Sequence, residues 1–452
     1  MGNEIGRLLD PVTASSAREL FRAPLFHTPR NPFREDRALE AYADGGLLVR
    51  EGRIAACGDY GTLRDAHPHA CSVDLRGGFL LPGFVDAHVH FPQLRVLGSL
   101  GRSLFDWLEQ CALPEEARMA DHSYACEAAR QFVHALASHG TTTALVFGAH
   151  FAPATASFFE AAAAAGLRVA SGLVLADRML RADLHQTPEL AYRESRGLIQ
   201  RFHRRGRLAY AVTPRFAPST SEAMLEVCQA LLSEHQGLLV QTHLNENLQE
   251  IAEVPRLFPW ASDYLAVYER FGLCRANAVF AHNVHPTESE LCRLAAAGAA
   301  VAHCPCSNAA LGSGLFPMQR HIRTGVGCAL GTDVGAGTGF GMLKEALQAN
   351  LLQRIAPDGM LLHASHMLYL ATLAGAEAVG FGDEAGDFRV GKSADFVYVR
   401  PLEGSPLAAV LEREQDPEGT LAAIFTLAEA SAIREVRVAG TVVHRAQIGE
   451  EG

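Results

Sequence analysis

The segment PGFVDAHVH, residues 82–90, decides the fold and the site of this chain. It is an apolar run that follows a Pro-Gly turn, which predicts a buried strand. Residues two apart on a strand point to the same side, so His88 and His90 can converge on one point. A His-x-His pair is by itself weak evidence for a metal site, and its meaning depends on the other strands of the chain.

Seven more apolar runs come after this segment, and stretches of helical periodicity separate them. The eight predicted strands cover residues 84–90, 142–148, 167–175, 208–213, 238–243, 278–282, 299–303 and 327–333. The main predicted helices cover residues 124–138, 155–165, 188–204, 221–234, 288–297 and 342–354. Eight apolar strands that alternate with helices predict an α/β protein with a TIM-like (β/α)8 barrel.

The two ends of the chain share a different pattern of short strands and turns. A Glu51-Gly52 turn predicts a hairpin over residues 45–55, and a Gly440-Thr441 turn predicts another over residues 434–444. We expect no helix before residue 81 and mainly strands and turns after residue 381. The sequence therefore predicts a small β-sandwich domain from residues 1–81 and 384–452, built around a barrel of residues 82–383.

Composition narrows the class of protein. The chain has 452 residues, of which 48% are hydrophobic and 20% charged, which excludes disorder as its main state. The net charge of −11 argues against a nucleic-acid partner, since such proteins carry basic surfaces. No apolar run is long enough for a membrane span or a signal peptide, and the 10 cysteines are dispersed. We expect a cytoplasmic protein with reduced thiols and no membrane association.

Metal-ligating side chains recur where the predicted strands end. They are His88, His90, His243, His282 and Asp333. The carboxyl ends of barrel strands carry the chemistry in this fold, so these side chains are expected to meet there. Imidazole suits zinc or iron, and a carboxylate adds an oxygen ligand. The pattern predicts one divalent cation, with Glu246 close by because it lies three residues after His243.

The motifs carry a resemblance to a known family. Residues 82–90 are similar to the first-strand signature of the amidohydrolase superfamily, and HCPCSN at residues 303–308 resembles its deaminase branch. The similarity to the guanine deaminases is more specific and runs from about residue 20 to the C-terminus. It rests on HFPQ at 90–93, TPRF at 213–216, HLNEN at 243–247, FDWLE at 105–109 and LGSGLF at 311–316. The chain departs from that family at residues 427–433, where LAEASAI replaces an Asp-Asp-Arg-like segment.

The resemblance implies an assignment for each candidate residue. The metal ligands would be His88, His90, His243 and Asp333, holding one Zn²⁺ per subunit with Fe²⁺ as the alternative. The catalytic residues would be Glu246 as proton shuttle, His282 as a partner of the attacking oxygen, and Asp333 as acceptor of the water's proton. The substrate-binding residues would be Gln93, Arg215, Phe216 and His243.

The implied reaction is hydrolysis of guanine to xanthine and ammonia by a homodimer. Arg215 donates hydrogen bonds only, so a carbonyl such as O6 suits it, and Phe216 offers a stacking face. The alternatives are a related amidohydrolase acting on 8-oxoguanine, a pterin or a triazine, and a non-catalytic assembly protein on the same barrel. The second alternative is weaker, because every expected metal ligand is present.

Overall fold

The computed structural model describes residues 18–446. Its strands are β1 (Glu19–His27), β2 (Glu40–Arg50), β3 (Arg53–Asp59), β4 (Cys71–Asp74), β5 (Phe79–Pro82), β6 (Phe84–His90), β7 (Thr141–Phe147), β8 (Arg168–Gly172), β9 (Val174–Leu175), β10 (Leu208–Pro214), β11 (Leu239–Leu244), β12 (Ala278–His282), β13 (Ala300–His303), β14 (Gly327–Leu330), β15 (Phe396–Val399), β16 (Ile433–Val438) and β17 (Thr441–Arg445).

The helices lie mostly between the barrel strands. They are α1 (Tyr60–Ala66), α2 (Leu104–Trp107), α3 (Leu113–Ala117), α4 (His122–Ser138), α5 (Ala152–Ala164), α6 (Pro188–Phe202), α7 (Glu222–Glu234), α8 (Leu248–Leu257), α9 (Tyr264–Arg270), α10 (Glu288–Ala297), α11 (Pro305–Ala310), α12 (Met318–Thr324), α13 (Met342–Ile355), α14 (Ala364–Ala371), α15 (Leu373–Ala378), α16 (Pro406–Leu411) and α17 (Pro417–Leu427).

The predicted barrel is confirmed. Its eight parallel strands lie in the order β6-β7-β8-β10-β11-β12-β13-β14, and each corresponds to one predicted strand. The first and last strands join at their carboxyl ends, where the Asp333 amide donates to the His88 carbonyl at 2.9 Å. Nearby, the His90 amide donates to the Val334 carbonyl at 3.0 Å. The barrel is thus closed at the end that carries the candidate site.

Small side chains fill the inside of the barrel. Val85, Ala170, Ala211 and other buried residues of the strands form one cluster, to which α15 adds Ala376. Gly375 of α15 packs so tightly that an added Cβ would lie 2.8 Å from the Val85 side chain. The interior is therefore a packed core, as expected for an eight-stranded barrel.

The chain ends form one mixed eight-stranded sheet. Its order is β17-β16-β15-β5-β1-β2-β3, with β4 also paired to β1, so strands from both termini share hydrogen bonds. The two predicted hairpins are present as β2–β3 and β16–β17. The composite architecture follows from this pairing, whereas the boundaries after residues 81 and 383 stay a prediction.

Two features differ from the sequence-based expectation. Helix α1 lies before residue 81, where we expected none. It buries no residue, so its sequence has no apolar periodicity from which a helix could be predicted. Helix α17 lies in the C-terminal segment and packs on the barrel helices α13 and α14. Asp416 caps α17, and Pro417 occupies its first turn. These two residues are a helix-start signal, but the turns around them obscure it in the sequence.

Two further expectations concern membrane-spanning helices and the state of the cysteines. Within residues 18–446 no helix has the length and apolarity needed to cross a membrane. All ten cysteines fall inside this range and are free thiols. Cys304 and Cys306 are buried at the start of α11, where they pack as small apolar side chains.

We predict that Gly331→Ala destabilises the barrel. An added Cβ at residue 331 would lie 2.7 Å from the His88 Cβ and 2.9 Å from the His88 carbonyl oxygen. Such overpacking typically costs about 1–3 kcal/mol, so the apparent Tm should fall by several degrees. Gly327→Ala at the start of β14 is the control, because its nearest neighbour would be the Ala300 Cβ at 3.6 Å. Equal Tm values for the two variants would contradict the prediction.

Candidate active site

Three predicted metal ligands meet where the barrel closes. The Nε2 atom of His88 lies 3.2 Å from Nε2 of His90 and 3.2 Å from Oδ1 of Asp333. Nε2 of His90 lies 3.4 Å from the same carboxylate oxygen. Atoms that share a tetrahedral zinc ion at about 2.0–2.2 Å are separated from one another by about 3.3 Å. The donor atoms and their spacing therefore suit a divalent cation.

The remaining two histidines complete the cluster from β11 and β12. Ligand atoms of His88, His243 and His282 all lie within 4.8 Å of one another. Nδ1 of His243 is 2.6 Å from the Arg215 carbonyl oxygen. A carbonyl only accepts, so Nδ1 carries the proton and Nε2 keeps its lone pair for a metal. The structure thus brings together every histidine predicted for the site.

The backbone at these strand ends adopts an uncommon conformation. Asn245, His282, Asn283 and Asp333 have φ angles of 49°, 69°, 44° and 48°. Residues other than glycine rarely adopt positive φ, and such residues concentrate at functional sites. The Asn245 side-chain amide donates to the Asn283 side-chain oxygen at 3.1 Å, which ties two of these turns together. The turns direct His282 and Asp333 into the barrel mouth.

Glu246 lies beside the cluster, as predicted. Its Oε2 is 3.6 Å from Nε2 of His282, and its Oε1 accepts from the Ser313 hydroxyl at 3.3 Å. Oδ2 of Asp333 lies 3.9 Å from the same His282 nitrogen. Burial raises the pKa of Glu246, so its carboxyl group holds a proton more readily than an exposed glutamate. This placement suits a group that takes up and returns a proton.

A pocket opens above the cluster. One side is apolar and is formed by Leu104, Trp107, Leu108, Leu311 and Ala336. The other side contains all four residues predicted to bind substrate, namely Gln93, Arg215, Phe216 and His243. The mixed apolar and polar lining fits a flat polar ring.

Arg215 has a protein partner that sequence reasoning missed. Its Nη1 donates to both carboxylate oxygens of Glu116, at 2.9 and 2.7 Å. Glu116 also accepts from Gln93 Nε2 at 2.7 Å and lies 3.2 Å from His150 Nε2. The segment LPEE contains two adjacent glutamates, and nothing in its spacing shows which of them faces the barrel.

Other residues at the site were also missed. Glu250 lines the pocket, and burial together with the nearby Glu246 raises its pKa to about 8. The Asn308 side-chain oxygen lies 2.9 Å from His282 Nδ1, and because this oxygen only accepts, Nδ1 carries the proton. Asp86 accepts from the Thr332 amide at 3.0 Å and from the Thr332 hydroxyl. The position of Glu250, four residues after Glu246 and in the first turn of α8, was the signal that could have found it.

His303 differs from the other histidines at strand ends. It is buried at the end of β13 and stacks on Phe316, with ring centroids 4.3 Å apart. Neither ring nitrogen has a hydrogen-bond partner among residues 18–446. Burial lowers the pKa of His303 to about 3, so its ring is neutral. It is not part of the ligand cluster.

Comparisons with known proteins agree with this geometry. The sequence model of the Amidohydrolase family matches residues 79–443, and that of an imidazolonepropionase-like composite domain of bacteria matches residues 45–70. The chain is 54% identical over 431 residues to a probable guanine deaminase of Deinococcus radiodurans, covering 94% of this chain and 98% of that protein.

Solved structures give the same result. The guanine deaminase of E. coli superposes with a TM-score of 0.91 at 37% identity, covering 96% of this chain and 100% of the other. The C. acetobutylicum guanine deaminase with guanine bound in its active site superposes with a TM-score of 0.87 at 26% identity, covering 94% and 100%. The barrel, the ligand cluster and these similarities together show that the chain belongs to the guanine deaminase family of amidohydrolases.

Proposed function

We propose that this protein hydrolyses guanine to xanthine and ammonia. The observation that carries the proposal is that one pocket holds the ligand cluster, the buried carboxyl group of Glu246 and the donor groups of Arg215 and Gln93. The cluster suits activation of water, Glu246 suits proton transfer, and the donors suit a ring carbonyl. The names of its relatives support the same activity.

The metal proposed for the cluster is one Zn²⁺ per chain, with Fe²⁺ as the alternative. His88, His90, His243 and Asp333 would hold it, and this imidazole-rich donor set, buried except for the half-buried His243, fits either ion. When bound, such an ion acts as a Lewis acid that makes water a nucleophile near neutral pH. His282 is close enough to the cluster to contact the same water.

The side chains of the protein move the protons. A water oxygen bonds to ring carbon C2, and the amino group on that carbon leaves. Asp333 Oδ2 and His282 Nε2 lie 3.9 Å apart and can hold this water between them, with Asp333 accepting a proton. Asp333 passes on the proton that it accepts, so that both protons of the water are delivered. Glu246 carries one to the ring nitrogen and one to the amine, because neutral ammonia leaves more readily than its anion. General acid–base help of this kind contributes roughly 10²–10⁴-fold in rate.

Recognition of the ring is assigned to the opposite side of the pocket. Arg215 and Gln93 present N–H groups that suit the O6 carbonyl, and Phe216 is placed to stack on the ring. His243 belongs to the cluster and also lines the pocket, so we assign it a contact with the ring as well. A related ring such as 8-oxoguanine, a pterin or a triazine stays the alternative, since the ligand cluster alone would serve each of them. The homodimer and the cytoplasmic location also stay predictions.

A substrate panel tests the proposed activity. Metal-replete protein should remove guanine absorbance and release ammonia, whereas adenine should react roughly 10⁴-fold more slowly or not at all, because Arg215 would lose its acceptor. Including 8-oxoguanine in the panel separates the alternative. Faster turnover of another ring than of guanine would overturn the assignment.

The ligand assignment predicts the metal content of two variants. His90→Ala should reduce the metal recovered with the folded protein from one ion per chain to a small fraction, as measured by elemental analysis. His303→Ala is the matched control, since His303 also ends a barrel strand but lies outside the cluster. Metal loss in the control but not in His90→Ala would show that the cluster is assigned wrongly.

The proton-transfer role of Glu246 predicts that a substitution there lowers kcat without affecting metal binding. Glu246→Gln should retain the metal and lower kcat by roughly 10²–10⁴-fold, because the amide cannot carry the proton. Glu253→Gln provides the control, as Glu253 pairs with Arg256 on the outer side of α8. If Glu246→Gln keeps the activity of the control, another group transfers the proton.

A further inference from the structure

Glu116 lies on α3, outside the barrel strands, and is 3% exposed. Its two carboxylate oxygens take part in four short contacts, with Gln93, with Arg215 twice, and with His150. Gln93 and Arg215 both line the pocket and are the two polar residues proposed to contact the ring carbonyl. The buried Glu116 carboxylate, which does not itself line the pocket, therefore holds both the Gln93 amide and the Arg215 guanidinium.

The first consequence concerns the orientation of the Gln93 amide. Its Nε2 donates to Glu116 at 2.7 Å, while its Oε1 accepts from the Gly335 amide at 3.0 Å. The reverse orientation would set the carbonyl oxygen against a carboxylate and the amino group against an N–H. The amide therefore has one fixed direction, and its second N–H is the group left for a ligand.

The second consequence concerns the charge of the network. Burial alone would raise the pKa of Glu116, but the Arg215 guanidinium and the His150 ring hold it well below its usual range. Burial lowers the pKa of His150, whose neutral ring donates from Nε2. Glu116 is thus an acceptor only, and it fixes Arg215 through Nη1 alone. Nε and Nη2 of Arg215 make no hydrogen bond to residues 18–446, so both can donate to a ligand.

We propose that Glu116 is a positioning residue that determines specificity: it makes this wall of the pocket present only N–H donors. Such a wall takes a ring edge that carries acceptors, such as a 6-oxo purine, and rejects a 6-amino edge. The inference rests on the proposed function for the identity of the ring. It extends that function by assigning the selectivity to a residue that contacts no substrate.

The substitution Glu116→Gln tests this mechanism. The new amide can donate to the Gln93 carbonyl as well as accept from the Gln93 amino group, so only the Gly335 amide still opposes a turned Gln93 side chain that presents an acceptor. Arg215 also loses its counter-charge. We therefore expect weaker selection for acceptors on the ligand, in addition to any general loss of affinity.

The measurement uses hypoxanthine and adenine, which differ at C6 and lack the 2-amino group that is hydrolysed. Calorimetry on metal-loaded protein gives the ratio of their Kd values. In the parent protein hypoxanthine should bind at least about tenfold more tightly than adenine, and Glu116→Gln should reduce this ratio at least about tenfold. Glu115→Gln is the matched control, because Glu115 contacts Arg118 and Tyr124 and no pocket residue.

Several outcomes overturn the inference. An unchanged ratio in Glu116→Gln, an equal change in Glu115→Gln, or no preference in the parent protein would each do so. If Glu116→Gln does not fold, Glu116→Asp keeps the charge but shortens the reach, and the ratio should fall partway; an unchanged ratio in that folded variant is again a contradiction. Failure of guanine turnover with a normal binding ratio would instead count against the proposed function alone.

Discussion

The hydrogen bonds that join β6 to the segment after β14 set the geometry of the rest of the site. They pair the backbone of His88 and His90 with that of Asp333 and Val334. This register places two imidazoles and one carboxylate from opposite ends of the barrel sequence within 3.4 Å of one another. The Asp86 carboxylate reinforces the same junction through Thr332, and burial raises its pKa to about 7. The same backbone hydrogen bonds therefore close the barrel and bring the candidate ligands together.

The charges around the pocket are balanced in two different ways. Glu116 stays ionised because the Arg215 guanidinium and neighbouring hydrogen-bond donors lie against its carboxylate oxygens. Glu246 and Glu250 lie close together without a cation of that kind, and burial raises the pKa of both. The pocket thus has an ion pair behind the proposed recognition residues and, next to the ligand cluster, carboxyl groups whose pKa values are raised.

Sequence patterns predicted those parts of the molecule that repeat or that lie at strand ends. All eight barrel strands were found because each is a short apolar run, and the candidate ligands were recognised because each lies at or near the end of such a predicted run. Glu116 and His150 could not be found this way. Glu116 contacts Gln93 and Arg215 from a short helix, and His150 contacts Glu116 from a loop, so tertiary packing alone brings them there. Helix α1 was missed because it buries nothing, and α17 because its partners, α13 and α14, are distant in sequence.

The alanine-rich core of the barrel determines the route by which substrate and products reach and leave the site. Gly375 and Ala376 of α15 pack into the strand cluster from the amino-terminal end, so the barrel is solid below the ligand cluster. The reacting ring, the water and both products must then pass through the opposite opening. Trp107 and Leu108 form part of that opening and are almost fully buried. Substrate entry and product release therefore use the same pocket opening, and both product molecules must leave through it before the next ring can bind.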